Sequence, residues 1–176
     1  IMVFNCDTFP VLKTQRLTLR KLTLGDANTI FALRSSEEIN KFVATKRMQS
    51  IEEAKDFIQT CNALYLKEDR IFWAITKQEE IIGTIVLHRI SLDTKYAEIG
   101  YKLKPEMQQR GFMSEAILAV LNFGFEQLYL KTIEAYTHKN NARSITLLEK
   151  HHFVFQTQRK DIGFEHNRVF KLESNS

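Results

Sequence analysis

The sequence is poor in the residues that interrupt folded structure. It has 6 Gly and 2 Pro among 176 residues, which leaves no room for a flexible linker or a low-complexity tract. Its apolar runs are only a few residues long, too short to span a membrane, and no segment has the basic-then-apolar form of a secretion signal. The length suits one core, so we expect residues 1–176 to form a single domain.

Cysteine is also scarce. Cys6 and Cys61 are far apart and form no Cys-x-x-Cys pair, which argues against a zinc ribbon or a redox motif. No pair of histidines has a convincing chelating arrangement, so we expect no metal site. Free, reduced thiols without a secretion signal predict a cytoplasmic protein. The net charge of +4 fits a polyanionic partner, such as coenzyme phosphates or a ribosomal surface, and equally fits solubility alone.

One segment near the middle of the chain predicts a strand, an anion-binding loop and a helix. Residues 97–103 read AEIGYKL, which favours a strand, and Pro105 ends it because proline lacks a backbone donor. From Phe112 onward, apolar residues recur at helical spacing. The first amides of a helix have no partner inside it, and Gly111 allows close approach, with Arg110 beside it. A phosphate or pyrophosphate suits this loop, although a single glycine before a helix is more often a plain turn.

A second segment favours the anion-binding loop over the plain turn. After a strand predicted over residues 133–137, residues 140–153 read NNARSITLLEKHHF. At these two segments the sequence resembles the GNAT superfamily of acyl-coenzyme A N-acyltransferases, and most of all its branch of ribosomal-protein N-terminal acetyltransferases. The likeness covers nearly the whole chain, because residues 12–20, LKTQRLTLR, followed by Asp26-Ala27, are similar to the family's first strand and first helix start.

The resemblance implies acetyl-coenzyme A as cosubstrate. The family's loop, Gln/Arg-x-x-Gly-x-Gly/Ala, wraps the coenzyme pyrophosphate with backbone N–H groups, and Gln108, Gly111 and Met113 fall on its three named places. Met113 departs from the pattern, but main-chain contacts tolerate a methionine. The pantetheine arm is expected to lie along the 97–103 strand like an additional strand. The coenzyme-binding residues that follow are Ile99, Gly100, Tyr101, Gln108, Gln109, Arg110, Gly111, Phe112, Met113, Ser114, Asn141 and Ser144.

The family pattern in the second segment is Asn-x-x-Ser/Ala, later Gly-Phe, often with a tyrosine between them. Asn141 and Ser144 match, whereas His152 replaces the glycine and Leu148 stands where the tyrosine would be. That tyrosine is often proposed to protonate the departing thiolate. A thiol with a reference pKa of about 8.5 leaves readily without an acid, and Ser144 is the nearest replacement. Asn141 is equally an ordinary helix N-cap, with Asn140 as the other candidate cap.

Periodicity predicts the remaining elements. Strands in antiparallel succession, interrupted by one strand–helix–strand crossover, indicate an α/β layer fold with a mixed, mostly antiparallel sheet. The resemblance adds helices on both faces and central strands, starting at Ala97 and Ile133, that splay apart. The first expected elements are a strand around Leu17–Leu22, a short helix through Arg34 with Asp26 as its N-cap, and a helix opened by the capping box Ser50–Glu53. Strands are expected over 71–76 and 81–90, joined by the polar turn 77–80, with a closing pair over 154–159 and 168–172.

Acyl transfer to an amine needs a base, and Glu98, beside the expected thioester, is the first candidate. Nearly as good an interpretation is that Glu98 is an exposed strand residue that pairs with Lys131 or Arg143. His138 is a second, weaker candidate for the base. Ser144 is expected to bond the sulfur or a water on it, or else to serve in packing or capping. Tyr101 is expected to line the acceptor tunnel rather than to catalyse.

The identity of the amine that accepts the acetyl group is the part of the function for which the sequence leaves most alternatives open. The branch suggests the N-terminal α-amine of a protein, such as a ribosomal protein, attacked directly in a ternary complex, whereas near relatives acetylate small amines. The loops around 40–49 and 161–167, which would select the acceptor, carry no recognisable signature. A rival interpretation is a catalytically weak coenzyme-A-binding or ribosome- or RNA-associated module of the same fold. Neither a membrane nor direct nucleic-acid binding is expected from the leading interpretation, and the oligomeric state is left open, a homo-oligomer included.

Overall fold

The computed structural model describes residue 4 and residues 8–175, so the expectation for the Cys6 thiol lies outside the described residues, whereas Cys61 is a buried free thiol. One eight-stranded sheet has the order β1-β2-β3-β4-β5-β6-β8-β7. Among the strand pairs of the described residues, only β5–β6 is parallel. The strands are β1 Leu12–Lys13, β2 Thr18–Lys21, β3 Ile71–Lys77, β4 Glu80–Ser91, β5 Tyr96–Leu103, β6 Thr132–His138, β7 Val154–Phe155 and β8 Asn167–Glu173. The helices are α1 Ala27–Ser35, α2 Ile51–Leu66, α3 Phe112–Glu126 and α4 Ala142–Lys150.

Two apolar layers sandwich the sheet, as expected for helices on both faces. The central strand β3 is buried on both sides because its alternate side chains enter different layers. Phe72 and Ala74 pack with α1 and α2, whereas Trp73 and Ile75 pack in the larger cluster that contains α3. Every strand position can therefore be assigned to the α1/α2 face or the α3/α4 face from its register with β3.

The centre of the sheet splits between β5 and β6. Their parallel register pairs Tyr96 with Thr132 and ends where Glu98 pairs with Glu134. Beyond this point β5 follows β4 as far as Leu103, and β6 follows β8. The splayed central strands inferred from the family resemblance are thus confirmed, and the inner edge of β5 after Glu98 faces a gap.

The tight hairpin between β3 and β4 forms at the predicted polar turn. Lys77 pairs with Glu80, and the two residues between them, Gln78 and Glu79, have φ of 48° and 70°. Positive φ at both central positions defines a type I′ turn, which matches the right-handed twist of the flanking strands. Neither residue is glycine, so the turn keeps some backbone strain.

Several element boundaries differ from expectation. The strand predicted over 154–159 is only Val154–Phe155, because the chain turns after Gln156, whose carbonyl accepts from the Arg159 N–H at 3.1 Å. Ser50 caps α2 as expected, with the Glu53 N–H donating to its hydroxyl oxygen at 3.2 Å. The capping box is only half formed, because the Glu53 carboxylate accepts from the Gln49 N–H at 2.8 Å instead of from that of Ser50. Asp26 precedes α1 without capping it, since its carboxylate binds Arg20 instead.

No helix in the described part of the chain is long and apolar enough to cross a membrane.

Candidate active site

The loop before α3 exposes a series of free backbone donors. Gly111 occupies the N-cap position with φ of 79°, a left-handed conformation that L side chains rarely adopt. No side chain caps this helix. Within the described residues, the backbone N–H groups of 109–114 donate no hydrogen bond to the protein, whereas that of Gln108 is already bonded to the Pro105 carbonyl at 3.1 Å. Unpaired N–H groups at the positive end of a helix form a seat for an anion.

The hairpin between β1 and β2 fixes this loop from outside. Glu115 in the first turn of α3 accepts hydrogen bonds from the Arg16 backbone N–H at 2.9 Å and from the Arg16 Nε at 2.8 Å, and also from the Thr14 hydroxyl. Arg16 also donates to the Arg110 carbonyl at 3.0 Å and lies over the Phe112 ring. Burial opposes ionisation of Glu115, but the hydrogen bonds from Thr14 and Arg16 prevail and lower its pKa. Glu115 is therefore a structural anchor of the loop.

Helix α4 forms the opposite wall. The Asn141 side chain accepts a hydrogen bond from the Ser144 N–H at 3.2 Å, so the interpretation of Asn141 as N-cap is confirmed. Asn140 is not the cap. Arg143 donates to the side-chain carbonyl of Gln108, which links α4 to the loop before α3. Farther along, the hydroxyl of Ser114 lies 2.8 Å from Nε2 of His151. Both helix starts are thus held at the same opening of the sheet.

A cavity of about 800 Å³ lies between these walls and extends through the gap in the sheet. On the α3/α4 face it is lined by the loop before α3 and by α4. On the α1/α2 face it is lined by residues 38, 39, 41 and 42 and by Lys102. We call the first part the coenzyme half and the second the acceptor half. The predicted residues that line it are Tyr101, Gln108, Gln109, Gly111, Phe112, Met113, Ser114, Asn141 and Ser144.

Four predicted residues do not line the cavity. Ile99 is buried against the α3 side of the core, and Gly100 lies on the opposite face beside Val86. Arg110 is exposed, with its guanidinium 5.1 Å from the Phe112 ring centroid. Glu98 is just below the gap. Their roles toward the coenzyme or the reaction stay predictions.

The sequence interpretation missed the cavity face of α4. Arg143, Thr146, Leu147 and Lys150 all line the cavity, at spacings of three, four and seven residues. This is the spacing that places residues on one helical face, so the pattern was available in the sequence. Two cations on this face add positive charge next to the free N–H groups of the loop.

Two hydroxyl groups meet in the coenzyme half, so Tyr101 lies there and does not line the acceptor half as expected. The hydroxyl of Tyr101 lies 2.8 Å from that of Ser144. Burial raises the pKa of Tyr101 to about 12, against a smaller lowering by Ser144, so this phenol keeps its proton. Leu148, which stands in place of the family's tyrosine, is buried in the core and lies outside the cavity lining. Tyr101 on β5 and Ser144 at the start of α4 therefore each bring a hydroxyl group to the cavity.

Glu98 is buried on the α1/α2 face, where the gap begins. Its carboxylate accepts from the Tyr96 hydroxyl at 3.0 Å and from Arg89 at 3.4 Å. His88 Nε2 lies 3.6 Å from it, but burial and nearby arginines lower the pKa of His88 to about 4, so this contact is with a neutral imidazole. The Tyr96 hydroxyl also lies 2.8 Å from the carboxylate of Glu134, the cross-strand neighbour of Glu98.

The predicted partners of Glu98 were wrong. Glu98 is buried rather than exposed, and it pairs with neither Lys131 nor Arg143. Arg143 lies on α4, which covers the other face of the sheet. His138, the weaker candidate for the base, stacks on His166 with ring centroids 5.6 Å apart. Its Nδ1 accepts the Asn140 N–H at 3.0 Å, so that nitrogen is already engaged.

Comparison with known proteins agrees with this geometry. A family model described as "Acetyltransferase (GNAT) domain" matches residues 16–154. The chain is 42% identical over 144 residues to the uncharacterized N-acetyltransferase YoaA of Bacillus subtilis (strain 168), covering 81% of each protein. It is 36% identical over 139 residues to the uncharacterized N-acetyltransferase p20 of Bacillus licheniformis, covering 78% of each. The solved structure of RimL, a ribosomal L7/L12 alpha-N-protein acetyltransferase in complex with coenzyme A, superposes with a TM-score of 0.80 at 19% identity, over 93% of this chain and 98% of that one.

The chain belongs to the GNAT family of acetyltransferases. Proteins of this family take the acetyl group from acetyl-coenzyme A and need no metal. The site fits that coenzyme, since unbonded N–H groups and the cations of α4 face the coenzyme half, and the unpaired edge of β5 offers backbone groups to an extended arm. No cluster of three or more His, Cys, Asp or Glu side chains that could hold a metal ion occurs within residue 4 and residues 8–175.

Proposed function

We propose that this acetyltransferase modifies the N-terminal α-amine of a protein by direct attack in a ternary complex. The observation that carries the proposal is the single cavity that joins both faces of the sheet at the gap beside β5. Coenzyme and acceptor can then occupy opposite halves at the same time, and no acetylated enzyme intermediate is required. RimL, whose fold this chain shares, is named as an alpha-N-protein acetyltransferase. The proposal includes a single domain over residues 1–176 that works in the cytoplasm.

An α-amine suits the weak base that this site offers. With a pKa of 7.7–8.0, about ten per cent of α-amines are already neutral at pH 7, against about one lysine in a few thousand. Glu98 is the proposed base, acting directly or through one water. It lies where β5 and β6 separate, on the face that holds the acceptor half, and Arg89 and Tyr96 orient its carboxylate.

Main-chain donors and α4 cations hold the coenzyme in this proposal. The free N–H groups of the loop before α3 bind the pyrophosphate, and Arg143 and Lys150 add charge from the other wall. The side-chain oxygen of Asn141 caps α4, which leaves its amide N–H₂ to donate to the pantetheine arm. Tyr101 and Ser144 together stabilise the departing thiolate, which needs only modest help because of its low reference pKa.

The test combines acceptor choice with a base variant. A peptide with a free N-terminal serine should release thiol from acetyl-coenzyme A, and the same peptide with a blocked N-terminus and an internal lysine should not. Glu98→Gln should lower turnover mainly at low pH, where the amine is protonated, with little change in coenzyme binding. Glu149→Gln, an exposed carboxylate on α4, is the matched control. An unchanged pH profile in Glu98→Gln removes Glu98 from the mechanism, and coenzyme binding without thiol release favours a non-catalytic module.

A further inference from the structure

Two half-buried cations beside the acceptor half have no acidic partner. Lys102 extends from β5 into the cavity wall, and Arg34 lies near the end of α1. Within the described part of the chain, neither forms an ion pair with a carboxylate. The Arg34 guanidinium instead lies 4.1 Å from the Phe57 ring centroid. A charged group that is partly removed from water without a counter-charge is energetically unfavourable. Charged groups in such surroundings often mark a functional site, and a ligand of opposite charge would compensate them.

The position of Lys102 is fixed by a buried asparagine. Asn40 is only 8% exposed, and its side-chain N–H₂ donates to the carbonyls of Leu33 at 2.8 Å and Ser36 at 2.7 Å. These two bonds set the orientation of the amide, so its oxygen faces Lys102 and accepts from Nζ at 2.6 Å. An ammonium has three donors, and this contact uses one. The others remain for a ligand in the cavity.

The charges around this position are mixed but leave the two cations uncompensated. Glu38 and Lys41 also line the acceptor half. A side pocket of about 110 Å³ on the other side of Asn40 is lined by Arg34, Lys46, Arg47 and Glu53, among others. Burial, and then the charge of Arg34, lower the pKa of Lys102 to about 8, which leaves most of this group protonated at neutral pH. A bound anion would relieve the repulsion between the two cations.

We propose that Lys102, held by Asn40 and supported by Arg34, forms an oxyanion-binding subsite in the acceptor half, so that the acceptor carries a carboxylate or phosphate close to its reactive amine. The inference rests on the proposed function. For a protein N-terminus, it means an acidic or phosphorylated side chain within the first residues after the amine. Polyamines, which bring only positive charge, should be poor acceptors.

The experiment compares peptides that differ only at the second residue: Asp against its neutral isostere Asn, and phosphoserine against Ser. Wild-type kcat/KM should favour at least one anionic member by about tenfold or more, as expected for a charge-assisted contact. The preference should shrink at high salt. Lys102→Met should bring the ratio close to one. Lys104→Met is the matched control, since Lys104 pairs with Glu80 at 3.6 Å outside the cavity and should keep the ratio.

Equal rates within both pairs, in a protein that acetylates the peptides, overturn the subsite and leave the proposed function intact. If no peptide is acetylated, the proposal of a protein acceptor is overturned instead. The subsite is then tested by comparing the acetylation rates of phosphoethanolamine and ethanolamine. An anionic preference that survives in Lys102→Met also overturns the assignment. If that variant fails to fold, the wild-type ratios and their salt dependence decide by themselves.

Discussion

Gly111→Ala tests the proposed coenzyme loop most directly. Gly111 has φ of 79°, and a Cβ at this position would lie 3.2 Å from Nη2 of Arg16. Holding an L residue in the left-handed region costs about 1–2 kcal/mol, and the Arg16 contact adds to it unless that flexible end moves. The loop can either keep its shape and carry the strain in the free protein, or relax and lose the geometry that directs its N–H groups at the pyrophosphate.

These two responses separate in two measurements. If the loop keeps its shape, the melting temperature of the free protein should fall by about 2–8 °C for a chain of this size. If the loop relaxes, the melting temperature should hold and coenzyme A should bind about five- to thirtyfold more weakly by calorimetry. The two free-energy changes should together amount to about 1–2 kcal/mol. Gly25→Ala is the control, because its Cβ meets only an ordinary contact at 3.5 Å. Unchanged stability together with unchanged coenzyme affinity would refute this account of the loop.

Two further substitutions test the thiolate site and the β3–β4 turn. Tyr101→Phe should lower kcat by about tenfold or less, since the thiol leaves readily, and adding Ser144→Ala should cost little more if the two hydroxyls act as a unit. Steady-state kinetics of the two single variants and the double variant measures this, and fully additive losses would separate the two residues. Glu79→Gly should raise the free energy of unfolding by about 0.5–1 kcal/mol by removing the strain at φ of 70°. Denaturant unfolding measures it, and a loss of stability would show that the Glu79 side chain makes a stabilising contact.

The coenzyme half was predictable because its signals are local. The run from Gln108 to Ser114 determines a loop and a helix start within a few residues, and the asparagine before α4 caps the helix that it precedes. The cavity face of α4 follows from helical spacing in the same way, although only the structure drew attention to it. Such features depend on backbone hydrogen bonds and caps between near neighbours, which a short segment contains in full.

The acceptor half was not predictable from any local pattern. Lys102 and Asn40 are 62 residues apart, and nothing in either segment indicates that they meet. The partners of Glu98 were misjudged for the same reason. Arg89 reaches it from the neighbouring strand, next to a shift in the β4–β5 register, and Arg143 was assigned to the wrong face of the sheet.

The sequence by itself determined the mixed sheet and the loop before α3, because these follow from periodicity and one turn. Its resemblance to the family supplied the helices on both faces and the proposed role of the loop. The tertiary structure alone decided which side chains share the cavity. In a sheet, a side chain's face and its cross-strand neighbour depend on register, and a shift of one residue moves it to the opposite face. The meeting of Lys102 with Asn40, and the burial of Glu98 at the point where β5 and β6 part, are consequences of that register.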